Sequence, residues 1–175
     1  MPDNGDRHAR SILPIPEREH IGVTTYDAKD PDTDFPAIEP LRQRLLELYS
    51  ANISTHTRPF PGMAGVLDTL EARGLNWGVV TNKPHHLTEP LMIALDLLDR
   101  AACCVSGDTL PQRKPDPAPL QHACELAGVD ATTAIYVGDS SRDIEAGRAA
   151  GMATIAAAYG YVTPDDDATA WGADA

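Results

Sequence analysis

The run Ala134-Ile-Tyr-Val-Gly-Asp-Ser-Ser-Arg-Asp143 decides how this chain folds. Ala134 to Val137 is a short apolar stretch suited to a buried strand, and Gly138, Asp139 and Ser140 interrupt it. Asp143 to Ala150 then reads as a helix closed by Gly151, and Ala153 to Ala157 as a last, weaker strand. Two strands separated by one helix pair in parallel, with the helix as the crossover. Working backwards, the same alternation recurs. A helix around Leu120 to Ala127 ends at Gly128, after a loop from Gly107 to Pro117 and a strand from Ala102 to Ser106. Leu91 to Leu98 reads as a helix with Pro90 confined to its first turn, and Trp77 to Thr81 as a strand ending in Asn82-Lys83-Pro84. Met63, Val66, Leu67 and Leu70 mark a helix stopped by Gly74. Leu41, Leu45, Leu48, Tyr49 and Ile53 follow helical spacing, with Pro40 in the first turn. The alternation predicts an α/β protein, a Rossmann-like parallel sheet with helices on both faces. In such sheets the chemistry collects at the carboxyl ends of the strands.

The remainder of the chain bounds the function. It has 175 residues with 26 acidic and 14 basic side chains, a formal net charge of −12. That field disfavours nucleic acid and anionic membranes as partners. No apolar run approaches the ~20 residues of a bilayer-spanning helix, and the first ten residues lack the pattern of a secretory signal. Three cysteines, two of them adjacent (Cys103 and Cys104), do not make a disulfide framework. These features predict a soluble, cytoplasmic protein. Six of the 15 prolines fall before residue 41, in a stretch with no helical apolar stripe. Its one ordered-looking piece is Ile21 to Tyr26, strand-like by its β-branched residues, against a composition that suits a disordered leader.

Three strand ends deliver polar groups to one edge of this sheet. Thr81, with the backbone amides of Asn82 and Lys83, offers neutral donors for phosphoryl oxygens, or simply a turn. Lys114, held between Arg113 and Pro115 in a proline-stiffened loop, is a fixed cation for a phosphate or a solvent-facing lysine. Asp139 at a strand terminus and Asp143 four residues later face one point, where two carboxylates repel unless a cation joins them. Oxygen ligation with room for water suits Mg²⁺. The alternative is an N-cap aspartate with Asp143 paired to Arg142 or Arg148. Taken together, a hydroxyl, a lysine and an acidic pair on consecutive strand ends converge on metal-assisted phosphoryl transfer.

These residues resemble the signature motifs of the haloacid dehalogenase superfamily. Val80-Thr-Asn-Lys83, Arg113-Lys-Pro-Asp-Pro117 and Val137-Gly-Asp-Ser-Ser-Arg-Asp143 are similar to its second, third and fourth motifs. The likeness extends through Phe60-Pro-Gly62, Ser106-Gly-Asp108, Asp143 to Gly151 and Tyr159-Gly-Tyr161, roughly from Asp32 to Trp171. Within the superfamily the strings most resemble phosphoglycolate phosphatases. The resemblance implies that Thr81 and the Asn82 backbone hold the transferring phosphoryl group, and that Lys114 balances its charge. It further implies that Asp139, helped by Asp143, binds Mg²⁺. An aspartate nucleophile and a second aspartate two residues on, from an Asp-x-Asp-Gly-Thr motif, would form and hydrolyse an aspartyl-phosphate.

No Asp-x-Asp-Gly-Thr string occurs in this sequence. Asp32-Thr-Asp34 has the carboxylate spacing but is followed by Phe35-Pro36 and has no apolar strand before it. Asp27 follows the strand-like Ile21 to Tyr26, yet Lys29 stands where the acid/base carboxylate belongs. The expected organisation is an atypical, disordered leader over 1–31 and a remnant of a helical cap over 32–59. An α/β core over 60–162 and an acidic tail over 163–175, cut short relative to the family, follow. The central strand of the family's sheet is expected to be missing, leaving a chain marginally stable or oligomeric unless Ile21 to Tyr26 fills its place. The function expected is a Mg²⁺-dependent phosphatase acting on a small phosphorylated metabolite such as 2-phosphoglycolate. The alternatives are a non-catalytic relative that binds phosphate or a protein, and an inactive truncated product.

Overall fold

The computed structural model describes residues 38–160 and 167–175. The leader, Asp27 and the Asp32-Thr-Asp34 stretch lie outside the described residues. The chain divides into two units, residues 1–45 and 46–175, and helix α1 (Ile38–Ala51) begins in the first and ends in the second. Beyond it come α2 (Met63–Ala72), β1 (Gly78–Val80), α3 (His85–Ala94), β2 (Cys103–Val105) and α4 (Ala118–Ala127). The series ends with β3 (Ile135–Gly138), α5 (Ser141–Ala149) and β4 (Ala153–Ala156).

Four helices stop by one device. After α2, α4 and α5 a glycine in the left-handed region (Gly74, Gly128, Gly151) lets the next residue reach back five positions. The bonds are Leu75 N–H to Leu70 O, Val129 to Cys124 and Met152 to Gly147, each 2.9–3.0 Å. This arrangement satisfies helix-end carbonyls and reverses the chain ahead of the next strand. Helix α3 ends likewise, with Leu97 N–H on Met92 O at 2.9 Å, but Asp96 takes the positive φ of 55°. That helix departs from the expected Leu91 to Leu98. It starts at His85 behind Pro84 and is over by Ala94. Pro90 lies in its middle rather than its first turn. Both Pro90 and His86 are exposed, so water can take the His86 carbonyl that the proline cannot serve.

The strands pair in parallel as expected. Strand β1 lies against β2 with Gly78 opposite Cys103, and β3 against β4 with Ile135 opposite Ala153. Helix α4 packs on β1 and β2, and α5 on β3 and β4. The core is drawn from these contacts, with Val105, Leu120, Ile144 and Thr154 wholly buried. Helix α5 comes close because Gly147 has no side chain, a Cβ there falling 2.7 Å from Thr154 Cγ2. Among the described residues the far face of β3, carrying Ile135 and Val137, is exposed, so the helical cover at β3 and β4 is one-sided there. Trp77, just before β1, is half-buried, and its ring nitrogen donates to Glu71 at 2.9 Å. No helix among the described residues is long and apolar enough to cross a membrane.

Within the described residues no ladder joins β1 to β3. Side chains bridge them instead. The Val80 carbonyl, at the end of β1, accepts from Lys114 Nζ at 2.8 Å and from the Tyr136 hydroxyl at 3.1 Å. On the other side, the outer edge of β4 is capped by the chain's last residues. Asp174 takes the Thr154 N–H at 2.8 Å and its hydroxyl at 2.9 Å, while Ala156 N–H donates to the Ala175 carbonyl at 2.8 Å. The wholly buried Thr154 is thereby fully satisfied.

Candidate active site

The loop after β1 is fixed before any ligand is considered. Lys83 N–H donates to Thr81 Oγ1 at 3.1 Å, leaving the Thr81 hydroxyl proton to give away. Asn82 contributes more than the expected backbone amide. Its side-chain Nδ2 donates to the Lys114 carbonyl at 2.9 Å and its Oδ1 accepts from the Lys114 N–H at 3.1 Å. This reciprocal amide pair locks the first strand end to the lysine loop across 32 residues of sequence.

Gly107 brings the second loop in. A Cβ there would lie 2.1 Å from the Asn82 carbonyl oxygen, so only glycine lets the two backbones touch. Gly107 N–H donates to the Lys83 carbonyl at 2.8 Å, and Arg113 Nε to the Gly107 carbonyl at 2.5 Å. Asp108 accepts the His85 N–H at 2.7 Å and so caps the first turn of α3. The Lys114–Pro115 peptide bond is cis.

Lys114 is the centre of the site. Its ammonium sits 2.8 Å from Asp143 Oδ1, 2.7 Å from the Tyr136 hydroxyl and 2.8 Å from the Val80 carbonyl. Three acceptors match its three protons. Both Lys114 and Asp143 side chains are only 8% exposed, so this is a buried ion pair and not the surface pairing with Arg142 or Arg148. Tyr136 joins the site although nothing in its local sequence marks it as polar machinery. Its ring lies 5.4 Å from Lys114 Nζ and its hydroxyl donates to Val80 while accepting from Lys114. Burial pushes the Tyr136 phenol well above its ordinary pKa, and the carboxylates of Asp143 and Asp139 push it further. The phenol therefore keeps its proton and remains a donor.

The acidic pair is brought together but treated unequally. Gly138 ends β3 so closely under Asp143 that a Cβ would fall 2.2 Å from the Asp143 Cβ. Asp139 is exposed and makes no hydrogen bond or ion pair with the described residues, while Gly160, after β4, leans on it with no room for a Cβ (2.5 Å from the Asp139 Cβ). Among the described residues no three His, Cys, Asp or Glu side chains converge. Two carboxylates, one free and one with an oxygen beyond its bond to Lys114, nonetheless fit a hard divalent cation. Mg²⁺ commonly takes one or two carboxylates and fills its remaining positions with water and substrate phosphate.

A parallel α/β unit whose strand ends gather a threonine, a clamped asparagine, a buried lysine and two aspartates places this chain in a definite class. It belongs to the haloacid dehalogenase-like hydrolases, whose family profile matches residues 16–157. It is 44% identical over 175 residues to the N-acetylmuramic acid 6-phosphate phosphatase of Pseudomonas aeruginosa, a match covering 96% of this chain and 77% of that protein. Against the phosphoglycolate phosphatase of Xylella fastidiosa it is 43% identical over 144 residues, 82% of this chain and 63% of that one. The fold superposes with a TM-score of 0.73 on a predicted phosphoglycolate phosphatase from Haemophilus somnus, 29% identical, over 78% of this chain and 60% of that one. The chain thus spans between 60% and 77% of the length of these three relatives.

Proposed function

We propose that this chain carries the phosphate- and metal-binding half of a phosphatase acting on a small phosphate monoester. The observation that carries the reading is the Asn82 clamp, which fixes the Thr81 loop and the Lys114 loop as one unit next to Asp143. Thr81 donates its hydroxyl to a phosphoryl oxygen and the Asn82 amide adds a neutral donor, while the Lys83 amide, expected as a second one, is spent on Thr81 Oγ1. The Lys114 ammonium sets a positive charge beneath them. Asp139 and Asp143 would hold Mg²⁺, which when bound neutralises part of the phosphoryl charge.

The named substrates of the relatives define a common chemistry. N-acetylmuramic acid 6-phosphate and phosphoglycolate are both phosphate monoesters that also bear a carboxylate. A substrate of this class, handled in the cytoplasm, is what we assign to this chain. In the reaction the resemblance implies, a carboxylate oxygen bonds to phosphorus as the ester oxygen leaves and takes a proton. Water then splits the acyl phosphate to release inorganic phosphate. The carboxylate for that step is not among the described residues of the site, and Asp27 is the candidate this sequence offers.

The test is incubation of the full chain with Mg²⁺ and either 2-phosphoglycolate or N-acetylmuramic acid 6-phosphate, measuring phosphate release and trapping any acyl phosphate with hydroxylamine. Release that is lost in Asp27→Asn supports turnover by this chain. Binding of phosphate with no release and no hydroxylamine-labile adduct would limit the chain to a binding role.

A further inference from the structure

We infer that Lys83 forms a second anion subsite beside the phosphoryl site, matched to the carboxylate of a phosphate monoester that carries one. The inference rests on the proposed phosphatase reading and names the feature by which its substrate is selected. The backbone of Lys83 is fixed at both ends. Its N–H is on Thr81 Oγ1 at 3.1 Å, and its carbonyl accepts from Gly107 N–H at 2.8 Å and Thr88 Oγ1 at 3.1 Å. It follows Asn82, whose side chain is clamped to Lys114, so its Cα is one residue spacing, about 3.8 Å, from the pivot of the site.

The two lysines beside that pivot take different partners. Lys114 runs towards β3 and spends all three protons on Val80, Tyr136 and Asp143. Lys83 reaches a different partner, Tyr49 near the end of α1. There its ammonium bonds the phenol oxygen and sits 4.9 Å from the ring centroid. One neutral hydroxyl and a ring face are its partners, and no carboxylate among the described residues lies within ion-pair distance. In a chain with 26 acidic and 14 basic side chains, Lys83, next to the phosphate loop, has no acid paired with it among the described residues. Two of its protons remain for an incoming group. An ammonium bonded only to a neutral phenol is open to an anion delivered by the substrate, and the charge-assisted bond it would then form is stronger than the one to the phenol. The Tyr49 ring holds the cation in place while taking none of its charge.

Calorimetric titration of the full chain in Mg²⁺ tests this with three probes: inorganic phosphate, ethyl phosphate and 2-phosphoglycolate. The last two differ in a methyl against a carboxylate. The wild type is expected to bind 2-phosphoglycolate about tenfold more tightly than ethyl phosphate, as a charge-assisted contact implies. K83M is expected to bring the two within twofold while leaving inorganic phosphate unchanged, and K83R to restore the preference. K83Q, neutral and polar, repeats the loss independently of how a methionine packs. Y49F keeps the cation and the ring and is expected to keep the preference. A wild type that binds phosphate without favouring the carboxylate overturns this inference alone. So does a K83M protein weakened equally for all three probes, which would mean a merely supporting role. A wild type that binds none of them overturns the phosphatase reading, and this inference with it.

Discussion

The ammonium of Lys114 and the carboxylate of Asp143 meet at 2.8 Å with both side chains 8% exposed, 29 residues apart in sequence, one on the loop after β2 and the other in the first turn of α5. Such a pair gains little over an apolar replacement but is expensive to halve. K114M and D143N are each expected to lose about 3–5 kcal/mol in urea unfolding, because each leaves the other charge buried and unpaired. The K114M/D143N double variant should lose much less than the sum. Additive losses would show that the two charges are solvated separately in solution.

The two aspartates should separate in their effects. Asp139 is exposed and unpaired with the described residues, whereas Asp143 is buried against Lys114. D139N is therefore expected to leave stability within about 0.5 kcal/mol of wild type while weakening Mg²⁺ binding at least tenfold. D143N should damage both. Magnesium titration followed by calorimetry, set beside the unfolding curves, distinguishes them. Unchanged Mg²⁺ affinity in D139N would remove Asp139 from the metal site.

Tyr136→Phe isolates one hydroxyl. It keeps the ring beside Lys114 but deletes the bond to the Val80 carbonyl and one of the three acceptors of the ammonium. The expected cost is about 1–3 kcal/mol of stability, with weaker phosphate binding because Lys114 loses a fixed partner. A variant as stable as wild type would mean that water replaces the hydroxyl.

Glycines set the approach of the backbone to both carboxylates. A methyl at Gly138 would meet the Asp143 Cβ at 2.2 Å, and one at Gly160 the Asp139 Cβ at 2.5 Å. G138A should cost at least the ~1–3 kcal/mol of an overpacked site and disturb the Lys114 pair. G160A should displace Asp139, so Mg²⁺ affinity is expected to fall more than stability does. Gly65→Ala, in α2 with nothing near its Cβ, serves as the control and is expected to be neutral or stabilising.

Acid should loosen the outer edge of the sheet first. The Thr154 N–H and hydroxyl, both donated to Asp174, hold that carboxyl below its ordinary pKa of 3.8. A depressed carboxyl pKa stabilises the fold fully above the unfolded value, and the contribution drains away as pH falls through the lower, folded one. The protection factors of the Thr154 and Ala156 amides, corrected for the pH dependence of intrinsic exchange, are therefore expected to fall below about pH 4. D174N should show the lower protection already at neutral pH. Protection that persists at pH 3 would assign the edge's stability to the backbone bonds alone.

Much of the fold was legible because its signals are local. Gly74, Gly128 and Gly151 mark helix ends wherever a left-handed residue is needed, and the short apolar runs between them have room only for strands. Helix α3 escaped because Asp96 took the left-handed position without advertising it, and because an exposed Pro90 is tolerated inside a helix. Thr81, Asn82, Lys114, Asp139 and Asp143 were legible as polar groups on successive strand ends. The Asn82 clamp and Tyr136 were not, since an amide pair across 32 residues and a phenol reaching a carbonyl 56 residues away leave no trace in local spacing.

The sequence by itself therefore determined the order of strands and helices, the family, and which side chains arrive at one edge of the sheet. Periodicity, caps and motif strings are properties of neighbouring residues, and neighbours are what a sequence records. Tertiary structure alone decided which charges are spent and which are free. Lys114 and Lys83 look alike in the chain, but the fold turned one into a fully bonded partner of Asp143 and set the other beside Tyr49 with no acid paired to it among the described residues. Desolvation and hydrogen-bond geometry depend on what the fold brings near, and only the folded chain fixes that.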